Sequence, residues 1–146
     1  MKKIFILLAL VFPFGASVAS AANDKIVNKS DLPVQAQNFI DEHFGDAKLS
    51  YVKLETDFLV RSYEVALASG TKVEFSSKGE WEEVDCRNAE VPSAIVPVAL
   101  AEYVKSNFEG EKVNRIERDN RGYELELSNG LELKFNKDFV IVDIDD

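Results

Sequence analysis

The stretch Tyr63-Glu-Val-Ala-Leu-Ala-Ser-Gly-Thr-Lys-Val-Glu-Phe75 returns sixty residues later as Tyr123-Glu-Leu-Glu-Leu-Ser-Asn-Gly-Leu-Glu-Leu-Lys-Phe135. In both copies, apolar and polar residues alternate on either side of a glycine, which is typical of two strands joined by a tight turn. A three-residue loop ending in that glycine places all the apolar residues on one face, whereas a two-residue loop would set leucines opposite charges. The sequence therefore predicts the same hairpin twice, with Tyr63 opposite Phe75 and Tyr123 opposite Phe135.

Each hairpin is preceded by a segment with helical periodicity. In the first, Phe39, Ile40 and Phe44 share one helical face after Pro33, and the second repeats this pattern after Pro97. Strand-like segments follow each helix, near 48–55, 60–67, 71–76 and 80–85, and again near 112–118, 121–127, 131–136 and 139–145.

A period of about sixty residues is too long for the small solenoid repeats and suits a duplicated compact unit. The predicted fold class is α+β, with two tandem modules at 31–86 and 91–146. Each module is a helix plus a four-stranded antiparallel sheet, and the helices cover one sheet face. Because units of this size bury little surface alone, we expect their sheets to join edge to edge or to pack closely.

The N-terminal residues have the pattern of a secretory signal peptide. Lys2 and Lys3 precede a short apolar run from Ile4 to Phe14, and Ala19-Ser-Ala21 forms a small-residue cleavage site. The apolar run is shorter than the roughly 20 residues that a membrane span needs. We predict a signal peptide at 1–21, a flexible N-terminus at 22–30, a periplasmic or secreted location, and no membrane attachment after cleavage.

The charge of the chain excludes two classes of partner. The full sequence carries a net charge of −9, and removal of two lysines with the predicted signal moves it to −11. Such a chain repels phosphate backbones and anionic lipid head groups, so nucleic acids and membrane surfaces are disfavoured as partners. The same charge could steer a basic protein or peptide toward the chain; the alternative is that it serves solubility alone.

The sequence offers little for catalysis or metal binding. His43 is the only histidine and lies on the apolar face of the first helix, so a multi-histidine metal site is excluded. No nucleophile elbow, phosphate loop or CxxC motif is present. We therefore predict no enzyme activity, no metal and no cofactor. Cys86 is the only cysteine, which rules out an internal disulfide and leaves its role open, either as a small buried residue or as a reactive thiol.

The best candidates for a binding site are residues on the sheet face turned away from the helices. The alternation places on that face Glu64, Lys72, Glu74, Glu124, Glu126, Glu132 and Lys134. Glu64 should lie opposite Glu74, and a basic partner or a cation could compensate their repulsion; the alternative is an ordinary solvated surface. Trp81 is the eighth candidate, because aromatic residues anchor interfaces, although it could equally belong to the core.

Five short motifs together resemble the secreted bacterial PepSY-like family, which is described as β-lactamase-inhibitor-like and often carries two modules. They are Leu32-Pro33, Phe44-Gly45, Tyr63-Glu-Val-x-Leu, Gly70-x-x-x-Glu-Phe75 and Gly79-x-Trp81. The second half departs from the last motif, with Phe139 and Ile141 in place of the glycine and the tryptophan. The resemblance implies a non-enzymatic exported protein with a helix-covered, curved sheet. Related domains occur in protease propeptides, and the β-lactamase inhibitor grips its enzyme with the concave sheet.

The functional hypothesis is an exported, non-enzymatic binding protein, inhibitor-like, that holds a protein or peptide on its exposed sheet face. The alternative is an envelope sensor of a small ligand or cation. The sequence leaves open the identity of the partner, the oligomeric state, and whether both halves bind.

Overall fold

The computed structural model describes residues 23–146, so the predicted signal peptide lies outside the described residues. Two α-helices, α1 (Val34–Phe44) and α2 (Val98–Asn107), and a 3-10 turn (Lys29–Asp31) accompany nine strands. The strands are β1 (Lys25–Val27), β2 (Leu49–Asp57), β3 (Val60–Leu67), β4 (Lys72–Ser76), β5 (Trp81–Asp85), β6 (Val113–Arg118), β7 (Gly122–Leu127), β8 (Glu132–Asn136) and β9 (Ile141–Asp145).

All nine strands form one antiparallel sheet, and they lie in it in chain order. The predicted α+β fold of two tandem helix-plus-four-strand modules is therefore wrong: the described chain is mostly β, with one sheet and two α-helices. The sheets of the two halves were expected to join edge to edge or to pack closely. They join edge to edge: β5 pairs with β6, with Val84 opposite Ile116, and this pairing makes one continuous sheet. A free four-stranded unit would leave the edge of β5 unpaired and would bury little core, and the single sheet avoids both costs.

The two repeated hairpins have the predicted register. Tyr63 lies opposite Phe75, and Tyr123 lies opposite Phe135. Each loop has three residues, and its glycine adopts the left-handed backbone that the turn requires, with φ of +94° at Gly70 and +89° at Gly130. The predicted three-residue turns are thus confirmed.

Both helices pack on the same face of the sheet and close a single core. Ala36 of α1 and Leu100 of α2 are fully buried, as are Phe75, Ile116 and Leu125 from strands of both halves. Segment 22–30, predicted as a flexible N-terminus, contains β1, which pairs with β2 and widens the sheet by one strand. No helix of residues 23–146 lies on the opposite face, and we call it the open face.

The hairpin of β2 and β3 extends further than the equivalent hairpin of β6 and β7. Its ladder continues to the pair Asp57–Val60, three residue pairs or about 10 Å further. Phe58 and Leu59 form its tip, with positive φ angles of 42° and 71° and side chains that are 90% and 97% exposed. The shorter hairpin turns through the polar segment 119–122 instead.

Candidate functional site

A row of carboxylates crosses the open face. Successive strand registers place one residue from each of β2 to β9 side by side, in the order Lys53, Glu64, Glu74, Glu83, Glu117, Glu124, Lys134 and Asp143. The five central residues are all glutamates, on the five consecutive strands β3 to β7. We call these five the acid row. Directly opposed like charges destabilise a sheet, so each of these carboxylates needs a compensating interaction.

Glu64, at one end of the acid row, is well compensated. The Tyr51 hydroxyl donates to Glu64 Oε1 at 2.6 Å, and the ammonium nitrogens of Lys53 and Lys72 lie 3.7 and 3.6 Å from the same oxygen. Burial acts to raise the pKa of Glu64, but this hydrogen bond and the two cations outweigh burial and lower the pKa. Glu64 is a satisfied, buried group, only 7% exposed.

Arg115 donates to carboxylates on both strands of the junction between β5 and β6. Its Nε donates to Glu83 at 2.7 Å, and another guanidinium nitrogen donates to Glu117 at 2.9 Å. Burial nevertheless raises the pKa of Glu117; Arg115 opposes this effect, while Glu83 and Glu124 add to it. One guanidinium therefore compensates two carboxylates incompletely.

Glu74 is the uncompensated member of the acid row. It lies between Glu64 and Glu83 on the neighbouring strands. Burial, followed by the charges of Glu83 and of other nearby carboxylates, raises its pKa to about 7. Among residues 23–146, no cation lies within ion-pair distance of Glu74 and no side-chain donor bonds it. A positive charge brought to this point would relieve the repulsion.

The structure brings seven of the eight sequence-predicted residues together on the open face: Glu64, Lys72, Glu74, Glu124, Glu126, Glu132 and Lys134. Glu126 faces Glu132 directly across β7 and β8, and the Lys134 nitrogen lies 3.7 Å from Glu124. Most of these side chains are half-buried, and Glu64 is more enclosed than an outward position suggested.

Trp81 lies on the other face. Its ring centroid is 6.2 Å from that of Phe39 in α1, and the Arg118 guanidinium carbon lies 3.9 Å above the ring. A bulge between Glu74 and Phe75 explains this placement, because it sets Trp81 opposite Phe75 while Glu83 remains opposite Glu74. Trp81 is a half-buried part of the helix-covered core and does not contact the acid row.

Sequence reasoning did not select the residues that complete the row. Glu83, Glu117 and Arg115 come together only because β5 pairs with β6, and Tyr51 and Lys53 because β2 pairs with β3. The alternation of residues 113–118 is the signal that could have identified them. It places Arg115 and Glu117 on one face of the strand, and this is the face of Glu83 if β5 and β6 are assumed to pair.

The open face concentrates negative charge, and among the described residues it forms neither a closed metal site nor a deep pocket. Within 23–146, no group of three or more histidine, cysteine, aspartate or glutamate side chains is arranged to hold a metal ion. A depression of about 220 Å³ lies beside α2, between Val104, Lys105 and Val113. It is smaller than the roughly 300–1,000 Å³ of typical ligand pockets.

The comparisons with known proteins agree with this architecture. A family model described as "Putative beta-lactamase-inhibitor-like, PepSY-like" matches residues 61–143. The chain belongs to this PepSY-like family. The predicted resemblance is thereby confirmed, although the match is one continuous span and shows no tandem arrangement. No curated protein matches the chain.

Three solved structures align with this chain over nearly the whole of their own length. A "putative calcium-regulated periplasmic protein" from Bacteroides thetaiotaomicron is 49% identical, with a TM-score of 0.83, over 85% of this chain and 98% of its own. A periplasmic protein of the DUF2874 family from Bacteroides vulgatus is 45% identical, with a TM-score of 0.83, over 86% and 99%. Another from the same organism, of unknown function, is 44% identical, with a TM-score of 0.81, over 84% and 99%.

These neighbours confirm the predicted location. All three are described as periplasmic, in agreement with the periplasmic or secreted location expected from the sequence. Across residues 23–146, neither α1 nor α2 is long and apolar enough to cross a membrane.

Proposed function

We propose that this PepSY-like protein is an exported, non-enzymatic binding protein that holds a protein or peptide carrying basic groups on the open face of its sheet. The observation that carries the proposal is the acid row, in which five glutamates stand side by side and Glu74 has no compensating cation among the described residues. The glutamates of the acid row repel one another. A basic side chain that lies against them relieves this repulsion and so binds favourably.

The size of the open face favours a macromolecular partner. Nine strands about 4.8 Å apart span roughly 38 Å, which is the scale of a protein–protein contact and far exceeds a small molecule. The family description, inhibitor-like, supports a protein partner in the same way.

The position of His43 supports a non-enzymatic role. Its ring packs 4.6 Å from that of Phe39, on the helix-covered side of the sheet. The side chains that contact the acid row are therefore tyrosine, lysine and arginine. The one histidine, which could exchange protons with a carboxylate near neutral pH, lies on the other side of the sheet.

The test reverses charge on the open face and compares the variant with a control of the same total charge. Glu126→Lys with Glu132→Lys changes two open-face residues, and Glu102→Lys with Glu109→Lys makes the same charge change at exposed sites in and after α2. Against an immobilised lysine-rich peptide at low salt, we expect the open-face variant to associate about tenfold more slowly than the helix variant. High salt should shrink the difference. Equal rates in two folded variants would remove the open face as the binding site.

A second candidate, a cation sensor, is favoured by one observation: the neighbour from B. thetaiotaomicron is described as calcium-regulated. Under this hypothesis, calcium would bind between neighbouring carboxylates of the acid row and stabilise the fold. Calcium should then raise the unfolding temperature more than magnesium does, and Glu74→Gln with Glu83→Gln should reduce the shift. An identical response to both ions would exclude this candidate.

A further inference from the structure

β9 is the structural counterpart of β5, and its outer edge is open where that of β5 is covered. Both strands end a run of one helix and four strands, and Val84 of β5 corresponds to Ile144 of β9 at the sixty-residue offset. β5 is paired on its outer side by β6, whereas β9 is at the edge of the sheet with no described strand beyond it.

The missing neighbour exposes apolar surface. Val84, opposite Ile116 of β6, is fully buried, whereas Ile144 is 47% exposed and Val142 is 62% exposed. The difference between Val84 and Ile144 follows from the added strand, because both occupy the same place in their halves of the sheet.

The backbone shows the same difference. The Cys86 amide donates to the Asn114 carbonyl at 2.9 Å, so Val84, two residues earlier, faces Ile116 in the next hydrogen-bonded pair. At the equivalent position of β9, the Ile144 amide donates instead to the side chain of its own neighbour, Asp143, at 3.1 Å. This amide is held only by a local side chain, which the carbonyl of an added strand would replace.

The charges indicate what the edge would accept. Beside β5, Arg115 lies opposite Asp85 and donates to Glu83. Their counterparts on β9 are Asp145 and Asp143, and one buried carboxylate oxygen of Asp145 has no hydrogen-bond partner among the described residues. A basic group is thus missing at the point where Arg115 stands in the first half.

We infer that the outer edge of β9 binds an extended peptide segment by antiparallel strand addition, with a basic side chain opposite Asp145 and an aliphatic side chain opposite Ile144. Main-chain hydrogen bonds would supply affinity, and the aspartates would select a basic segment. Pairing between the β9 strands of two copies is disfavoured, because it would bring Asp143 and Asp145 against the same acids. This edge site is separate from the acid row and goes beyond the function proposed above.

The probe is a synthetic peptide with the sequence of residues 112–119, since that segment already pairs with the edge of β5. Two control peptides carry a glutamate in place of the arginine at 115, or an N-methyl group on the isoleucine at 116, which removes the ladder amide. We expect each control to bind the intact protein at least about tenfold more weakly in a fluorescence anisotropy titration. Equal affinities of the three peptides would overturn the inference.

Substitutions in the protein locate the peptide. Ile144→Pro removes the outward amide, which takes no part in the ladder to β8, and should weaken binding by a similar factor, while Ile144→Val should not. If Ile144→Pro does not fold, the N-methylated peptide makes the same test on the unmodified protein. Glu74 and Glu83 lie on β4 and β5, far from β9 in the sheet. Loss of binding in Glu74→Lys with Glu83→Lys but not in Ile144→Pro would place the peptide on the acid row, and so would overturn the edge site while leaving the proposed function intact. Concentration-dependent dimers abolished by Ile144→Pro would identify a second copy as the occupant and would also overturn the inference.

Discussion

Position 74 in the first half of the sheet is a glutamate with a glutamate on each neighbouring strand, whereas its counterpart, position 134, is a lysine with an acid on each side. The core pairs around them are preserved: Val73 and Leu133 are both fully buried. The two halves therefore share their packing and differ in charge. Packing constrains the helix-covered face, while the open face was free to concentrate negative charge where the halves meet.

The turn before the last strand differs between the halves in a way that involves the helices. Gly79 lies under the start of α1, and a Cβ added there would stand 2.8 Å from Pro33 Cβ and 3.1 Å from the Ala36 amide nitrogen. Its counterpart Phe139 holds a left-handed backbone, with φ of 62°, and its ring lies 5.5 Å from that of Tyr123. α1 therefore approaches its turn closely, whereas in the second half a side chain occupies that turn.

The largest expected effect concerns the junction of the halves. Ile116→Ala leaves a cavity at a fully buried position and should lower the free energy of unfolding by about 3 kcal/mol. Ile144→Ala, at the half-exposed edge, should cost about 1 kcal/mol or less. Chemical denaturation of both variants is the measurement. Two separate transitions, or equal losses, would show that the junction is not part of one cooperative core.

The next effect separates backbone strain from helix packing. Gly79→Ala combines a φ of +87° with the close contacts to α1 and should destabilise by about 2 kcal/mol. Gly130→Ala has a similar φ, +89°, but nothing within 4 Å of the added Cβ, and should cost about 1 kcal/mol. The difference between the unfolding midpoints of the two variants measures the destabilisation caused by the contacts with α1. Identical midpoints would show that these contacts contribute nothing.

The protruding hairpin should become more stable when its tip is changed. Both Phe58 and Leu59 hold positive φ angles, a geometry that two-residue hairpin turns usually reserve for Asn-Gly. Phe58→Asn with Leu59→Gly should therefore raise stability by about 1 kcal/mol. Phe58→Ala with Leu59→Ala, which removes the apolar groups and keeps the strain, should bring no such gain. A gain of equal size in both variants would attribute the effect to lost apolar exposure.

The smallest effect is a pH dependence in one half. The pKa of Glu74 is raised from 4.5 to about 7, so the folded state holds this proton more tightly than the unfolded state, and stability falls as the pH rises through that window. Glu74→Gln should reduce this dependence to the smaller part that Glu117 contributes, since burial raises the pKa of that carboxyl as well. Glu74→Lys, which copies position 134, should also add about 1 kcal/mol or less at pH 8, because solvent screens a half-buried group. Urea midpoints at pH 5 and pH 8 test both, and a wild-type slope retained in Glu74→Gln would assign the titration to another carboxyl.

The sequence predicts the parts of the fold that depend on residues close together in the chain, such as the hairpins. The hairpin around Gly130 was predictable because a slip of one residue would expose Leu125 and Leu133 together. The pairing of β5 with β6 determines the fold class, and it joins Asp85 to Arg115 across the whole of α2. No local periodicity reports such a pairing, so the two-module description was wrong although the elements lie close to their predicted places.

The candidate site was predicted in part for the same reason. Glu124 and Lys134 belong to one hairpin, and alternation alone puts them on one face. For Trp81 the sequence left both an interface and the core open, because a bulge changes the alternation of β5 at a single residue and bulges leave no clear pattern in the sequence. The charge-reversal experiment tests whether these residues bind a partner.

The order of the strands has a consequence for how quickly the chain can fold. Every strand pairs with its neighbour in the chain, and only the β1–β2 and β5–β6 pairings must close a loop around a helix. The average sequence separation of contacts is therefore short for a β-rich protein, which predicts folding faster than that of Greek-key sandwiches of similar length. The closure between Asp85 and Arg115 is the longer of the two, spanning thirty residues, and should be the slowest step. Formation of that one pairing would then set the folding rate.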